Sequence, residues 1–330
     1  MIPKSAETVS QRAQTSITTG LKKGWRGLVW LLKILIPVSF FTAFLVHFNL
    51  LGYLDFLLEP LMRLMHLPAS AAVVLIIGLF TGIYGTVAAL SVMSFSMDHM
   101  TLIAIFTLIS HNIIQEGLVQ ANSGIRFFTA AAFRLVMAFV VTFVCAKFMG
   151  AGIDTTAAAA VQIREAPPGP IGPMLLDWAA DTGWLCLQIL CILMPLMVLL
   201  ELAKTFHLIE GVTRVFSPVV ALLGLDRSCA MLWMTAAVFG LAYGSAVIVE
   251  EAGTGNYDSE SLKKLHLSIG VNHAMIEDPA LFLPLGISVF WLWVPRFVAA
   301  MAVVWLYSGF SLARRRLYAK HAGHKKLCDH

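Results

Sequence analysis

Two short stretches in an otherwise apolar chain gather side chains that can carry charge or pass a proton. The first holds Ser110, His111, Asn112, Gln115 and Glu116; the second holds Ser268, Asn272, His273, Glu277 and Asp278. An imidazole changes charge near neutral pH, and a nearby carboxylate gives a proton or cation a second partner. On a continuous helix, positions four apart share a face, so His111 is expected to project with Gln115 and His273 with Glu277. Glu116 and Asp278 then lie about a third of a turn round, suited to another partner. Arg134 and Arg296 follow the two histidines at equal spacing. Each can pair with Glu116 or Asp278 across a helical hairpin, because a guanidinium keeps a desolvated carboxylate charged. Such a pair serves equally as a structural lock or as part of an anion site.

Several chemistries fit these residues. Polar groups glue membrane helices together, or they line a pocket for a polar solute. A divalent ion is a further alternative, at His111, His273, Glu116 and Asp278 with Glu277 beside them. Two imidazoles with carboxylates suit zinc, iron or manganese, provided the two stretches meet. The chain has no HExxH, GxSxG or P-loop pattern, so neither an enzyme nor a resident cofactor is expected.

The cost of these groups follows from their surroundings. Of 330 residues, 58% are hydrophobic and 13% charged, with a mean hydropathy of +0.81. Soluble domains are about a quarter charged, and a bilayer-spanning helix needs roughly 20 apolar residues. Apolar runs cover 28–46, 71–93, 127–149, 184–202, 230–249 and 285–307, and polar-spotted runs cover 102–119 and 265–283. An all-α polytopic membrane protein of about eight helices is expected, four in each half. No small-residue cleavage site follows the first run, which predicts a retained helix. The five cysteines form no CxxC pair and are expected to be inert thiols. Lys22, Lys23 and Arg26 precede the first run, and Arg314, Arg315, Arg316, Lys320, Lys325 and Lys326 follow the last. This pattern predicts a multi-pass inner-membrane protein with both termini cytoplasmic. These basic clusters fit lipid headgroups, and no nucleic-acid partner is expected.

The halves repeat. Pro37 and Pro60 recur as Pro195 and Pro218, Leu67 as Leu225 and Gly82 as Gly240. After a one-residue insertion, Tyr84-Gly85-Thr86 recurs as Tyr243-Gly244-Ser245; His111 and Arg134 then recur as His273 and Arg296. The Ala- and Pro-rich segment between them has linker composition. The expected division is an N-terminal tail 1–27, a first repeat 28–149, a linker 150–173, a second repeat 174–311 and a basic tail 312–330. Short charged, proline-bearing pieces at 52–66 and 210–225 are expected at the interface or as re-entrant segments. If they stay on the surface, each half crosses an even number of times and the repeats are parallel; if they cross, each half crosses an odd number of times and the repeats are inverted. The short charged pieces favour the first. Glycines 78, 82 and 85 permit close helix packing or mark a break lining a cavity, with Tyr84 and Tyr243 beside them.

Two copies of a unit with a Pro-bearing first helix, the turns Gly-Ile-Tyr-Gly and Leu-Ala-Tyr-Gly, and the pairs His111–Glu116 and His273–Asp278 resemble the nucleoside-recognition, or Gate, domain membrane proteins. That group includes spore-maturation membrane proteins and the membrane part of ferrous-iron B-type transporters. The resemblance spans about residues 25 to 312 and implies a role in solute or ion translocation. The expectation is therefore a transporter of a small polar or anionic solute, coupled to a proton or sodium ion, with its site where the repeats meet. His111, Asn112, Gln115, Glu116, Asn272, His273, Glu277 and Asp278 would line that site, with Tyr84, Tyr243 and the counter-charges Arg134 and Arg296. A lipid flippase holding an anionic headgroup, a divalent-metal transporter and a membrane scaffold are the alternatives. The bilayer is the expected partner, and homo-oligomerisation is left open.

Overall fold

The structure is a computed structural model that describes residues 8–48, 59–122, 124–150, 170–206, 218–238, 240, 248 and 257–328. Its principal helices are α1 (Val9–His47), α2 (Ala71–Thr81), α3 (Ile83–Val92), α4 (Met97–Ser110), α5 (Ile113–Asn122), α6 (Phe127–Met149), α7 (Ile171–Thr205), α8 (Ser259–Val271), α9 (Glu277–Ala280) and α10 (Val289–Cys328). Among the described residues there is no strand. Among the described residues, four segments are long and apolar enough to cross a bilayer: Met97–Asn122, Phe127–Met149, Ile171–Ala203 and Val289–Arg315. The chain is an all-α polytopic membrane protein.

Several boundaries differ from those expected. Helix α1 begins at Val9, inside the stretch expected as a tail: no proline interrupts the way to Leu28, and Gly20 and Gly24 let it lie close against Val198 and Met194 of α7. Its early part packs on the end of α7: Ser16 Oγ donates to Thr205 Oγ1 at 2.7 Å and Lys23 pairs with Glu201 at 2.7 Å. Helix α10 likewise continues through the basic tail to Cys328. The linker at 151–169 and much of both charged proline pieces lie outside the described residues, although 59–64 is helical.

Residues 71–92 were expected to cross as one helix. They form a hairpin instead. At Gly82 the backbone takes φ +83°, separating α2 from α3. A Cβ on Gly78 would collide with Thr86 Oγ1, and one on Gly85 would lie 2.8 Å from Ile77 Cγ2. Residues eight apart on one helix are about 12 Å apart along the axis, so the chain has doubled back. Each arm, at 1.5 Å per residue, is about 16 Å long, roughly half the hydrocarbon thickness.

The two halves run in opposite directions. Along α1 and α7, the equivalent first helices, Ser16 meets Thr205, Lys23 meets Glu201 and Ser39 meets Trp178. The third elements pass each other the same way. Gln120 reaches the His266 carbonyl at one end, the His111 and His273 rings meet in the middle, and Met97 touches Gly286 at the other end. Parallel repeats are thus replaced by inverted ones. Because the hairpin returns to the side it entered from, the long elements of the first half among the described residues are three, α1, α4–α5 and α6, an odd number.

Gly82→Ala is expected to destabilise the protein by about 1–3 kcal/mol, since its φ is positive and its Cβ would sit 2.6 Å from the Asn112 amide. Gly309→Ala, on a helix with open space around it, should be neutral or stabilising by up to about 1 kcal/mol. Thermal unfolding of both variants in one detergent gives the comparison.

Candidate functional site

Each polar stretch sits at a break in a helix, and the two breaks are built alike. Helix α4 stops at His111, which turns to φ −60° and ψ 158°, and Asn112 follows at φ +46°. The Asn112 amide then donates to Gly78 O at 3.3 Å, tying the break to the hairpin. In the second half α8 ends at Asn272, Ala274 takes φ +45°, and its amide donates to Ala236 O at 3.2 Å. Both helices also start alike: Ser96 accepts from the His99 amide, and Asp258 from the Ser261 amide. Hydrogen bonds from Ser261 hold the exposed Asp258 carboxyl below the usual aspartate range.

A break leaves the last carbonyls of the helix without donors. The arginines supply them. Arg134 Nε donates to Ile109 O at 3.0 Å and its Nη2 to His111 O at 2.9 Å. Arg296 Nε donates to Val271 O at 3.3 Å, and its Nη2 to His273 O. A planar guanidinium fork is shaped for two such acceptors, which a lysine point charge is not.

The imidazoles are oriented by the same turns. Nδ1 of His111 lies 3.0 Å from Thr107 O, and Nδ1 of His273 lies 2.8 Å from Ile269 O. A carbonyl only accepts, so each Nδ1 carries a proton and each Nε2 points inward. Nε2 of His111 lies 3.0 Å from Glu116 Oε1 and 3.3 Å from Asp278 Oδ2, while Nε2 of His273 lies 3.2 Å from Glu116 Oε2. Arg134 also contacts Glu116 Oε2. The two rings are 5.2 Å apart and tilted by 33°. A neutral Nε2 facing a carboxylate oxygen sets two acceptors against each other. Each such contact calls for a proton or a cation between the partners.

The group is enclosed. Arg134, Arg296 and His273 have no exposed surface, and His111 and Glu116 are 4% and 9% exposed. Glu116 Oε2, His273 Nε2, Asp278 Oδ2, both side-chain atoms of Asn272, and Nη1 of each arginine lack an aligned hydrogen-bond partner. Of these, Glu116 Oε2 has ion-pair contacts with Arg134 and His273, and Asp278 Oδ2 with His111. Buried polar atoms are usually satisfied, so this concentration marks the cluster as chemically incomplete in itself.

The structure thus brings together His111, Glu116 and Arg134 from one half with His273 and Asp278 from the other. Tyr84 donates to Glu277 Oε1 at 3.3 Å, adding the hairpin to the same region. Asn112 forms the turn, with its amide against the Gly82 tip, and Asn272 is buried at the second break. Gln115 does not join: it is exposed. The i, i+4 argument assumed a continuous helix, and the break after His111 rotates α5 so that Glu116 faces inward instead. Each arginine directs two donors to backbone, and Arg134 also makes the expected pair with Glu116. Tyr243 lies outside the described residues. Sequence reasoning missed the carbonyls of Thr107, Ile109, Ile269 and Val271, although a histidine at a predicted helix end with an arginine fixed downstream is their signal.

No protein-family model and no solved structure matches the chain. Over 282 residues, 86% of this chain and 90% of the relative, it is 27% identical to an uncharacterized membrane protein, YvoD, of Bacillus subtilis strain 168. The similarity supports a membrane protein along nearly the whole of both chains.

Removing a buried partner leaves carbonyls or a carboxylate uncompensated, at about 3–5 kcal/mol. Arg134→Gln and Arg296→Gln should both lower the unfolding midpoint, and Arg134→Gln should lower it more because Glu116 also loses its partner. Equal, negligible shifts would deny the arginines this structural role.

Proposed function

We propose that this protein is a transporter in which the His111, Glu116, His273 and Asp278 cluster holds a transported or coupling cation. The observation that carries this reading is the meeting of two inverted helix breaks at one enclosed charged site. Broken helices around ion sites, contributed by inverted halves, are the architecture of many secondary transporters. Irregular backbone at membrane depth persists only where protein or a cavity satisfies it, and ionisable groups there are costly unless used. The motif resemblance to Gate proteins, associated with solute or ion translocation, points the same way.

The inward ligand atoms of His111, His273 and Asp278 lie within 4.8 Å of one another. A gap of that size suits a proton or a single ion, so an organic solute would bind beside the cluster and not within it. With two guanidinium donors on each arginine already on carbonyls, an anionic headgroup gains little from them. The antiparallel packing of α1 against α7 supports placing the start of α1 and the end of α10 on one side, which the positive-inside rule makes cytoplasmic.

Proteoliposomes of the purified chain, loaded with a pH-sensitive dye and given imposed proton, sodium or manganese gradients, test the proposal. Wild-type vesicles should dissipate at least one gradient faster than empty ones. Glu116→Gln and Asp278→Asn should fall to the empty-vesicle rate while eluting as folded protein. Wild-type protein that moves no cation under any of the gradients returns the cluster to a scaffolding role.

A further inference from the structure

We infer that the cluster is a binding site for one first-row divalent transition-metal ion, ligated by Nε2 of His111, Nε2 of His273 and Oδ2 of Asp278, with Glu116 as a fourth, carboxylate ligand. This deepens the cation-transport reading and rests on it for the ion's path, but not for its binding. Three observations carry it. Both imidazoles donate Nδ1–H to a backbone carbonyl, the outer-shell bond that fixes a metal-ligating histidine's tautomer and aims its other nitrogen. The aimed atoms converge: those of His111, His273 and Asp278 lie within 4.8 Å of one another. Ligands around one four-coordinate ion at about 2.1 Å lie about 3.4 Å apart, so the His111–Asp278 pair at 3.3 Å is already at ligand spacing and the widest separation closes by about 1.4 Å, shared among side chains that turn about their own bonds. Finally, His273 is fully buried and its Nε2 has no aligned partner, nor has Asp278 Oδ2. The cluster already has the direction and tautomer of a ligand set, with its lone pairs pointing at one another.

Charge agrees. With neutral imidazoles, Glu116, Asp278 and Glu277 outweigh Arg134 and Arg296 by one negative charge. A dication brings what two imidazolium protons would bring. Two nitrogens with carboxylate oxygens suit manganese, iron(II), cobalt or zinc; magnesium and calcium prefer all-oxygen shells, and copper(I) prefers sulfur. Metal entry therefore displaces protons from the two Nε2 atoms, if they carry any, and the Arg134–Glu116 contact can persist through one carboxylate oxygen while the other turns to the ion.

The test uses full-length protein in detergent, stripped with chelator and titrated with Co2+ and Mn2+. Wild type should bind about one equivalent and show cobalt d–d absorption of the intensity given by a four- or five-coordinate nitrogen–oxygen site. His273→Gln with Asp278→Asn should lose both signals. Deleting 318–330, which carries His321, His324, Cys328 and His330, should leave both unchanged. If that deletion removes the metal, or if wild type binds none, the inference is overturned. Should the double variant fail to fold, the cobalt spectrum of the tail-deleted protein decides alone. The transport reading fails separately: a protein that binds cobalt yet moves no cation keeps the metal site and loses transport, and one that moves protons without binding metal does the reverse.

Discussion

A helix interrupted among apolar neighbours leaves backbone carbonyls with nothing to accept from, and each such group costs several kcal/mol where water is absent. In this protein Arg134 and Arg296 answer that cost, each reaching two carbonyls where a helix is interrupted. Everything at the site depends on these bonds. They allow His111 and His273 to leave the helical path, which turns Nδ1 back onto the preceding helix and Nε2 towards the opposite half. They also place one positive charge against Glu116, the buried carboxylate between the two imidazoles.

Inversion makes the two breaks meet. Repeats arranged in parallel would bring like ends of α4 and α8 side by side. Running the two third elements past each other instead puts the breaks at the ends of α4 and α8 in contact, with Gln120 near His266 on one side and Met97 near Gly286 on the other. The hairpin of α2 and α3 completes the arrangement from one side: Gly78 accepts from Asn112 at its break, and Tyr84 donates to Glu277 across the seam.

Much of this was legible in residues alone. Composition and apolar run lengths specify the all-α membrane class, and the recurrence of Pro37, Gly82, His111 and Arg134 in order anticipates the equivalent turns. His111 with Glu116, and His273 with Asp278, were identifiable because charge at membrane depth is conspicuous. What escaped was backbone geometry. Positive φ at Asn112 and Ala274 leaves no strong mark in residue type, since alanine is no turn former, so Gln115 was placed inward by a periodicity that the chain abandons. The hairpin at Gly82 was hidden for a similar reason: 71–92 has the length and hydropathy of one crossing. Its only hint is the close set of Gly78, Gly82 and Gly85, which also fits close packing of a straight helix. The direction of the repeats depended on that hairpin, because counting it as a crossing changes odd to even.

The opposed halves can be tested where their equivalent helices begin. Ser96 and Asp258 cap α4 and α8, and both are exposed. In a background with the five native cysteines replaced, Ser96→Cys and Asp258→Cys should be reached by a membrane-impermeant maleimide from opposite faces, Asp258→Cys from the side of the termini and Ser96→Cys from the other. Labelling of both from one face would contradict inversion, and with it the central site built on two opposed breaks.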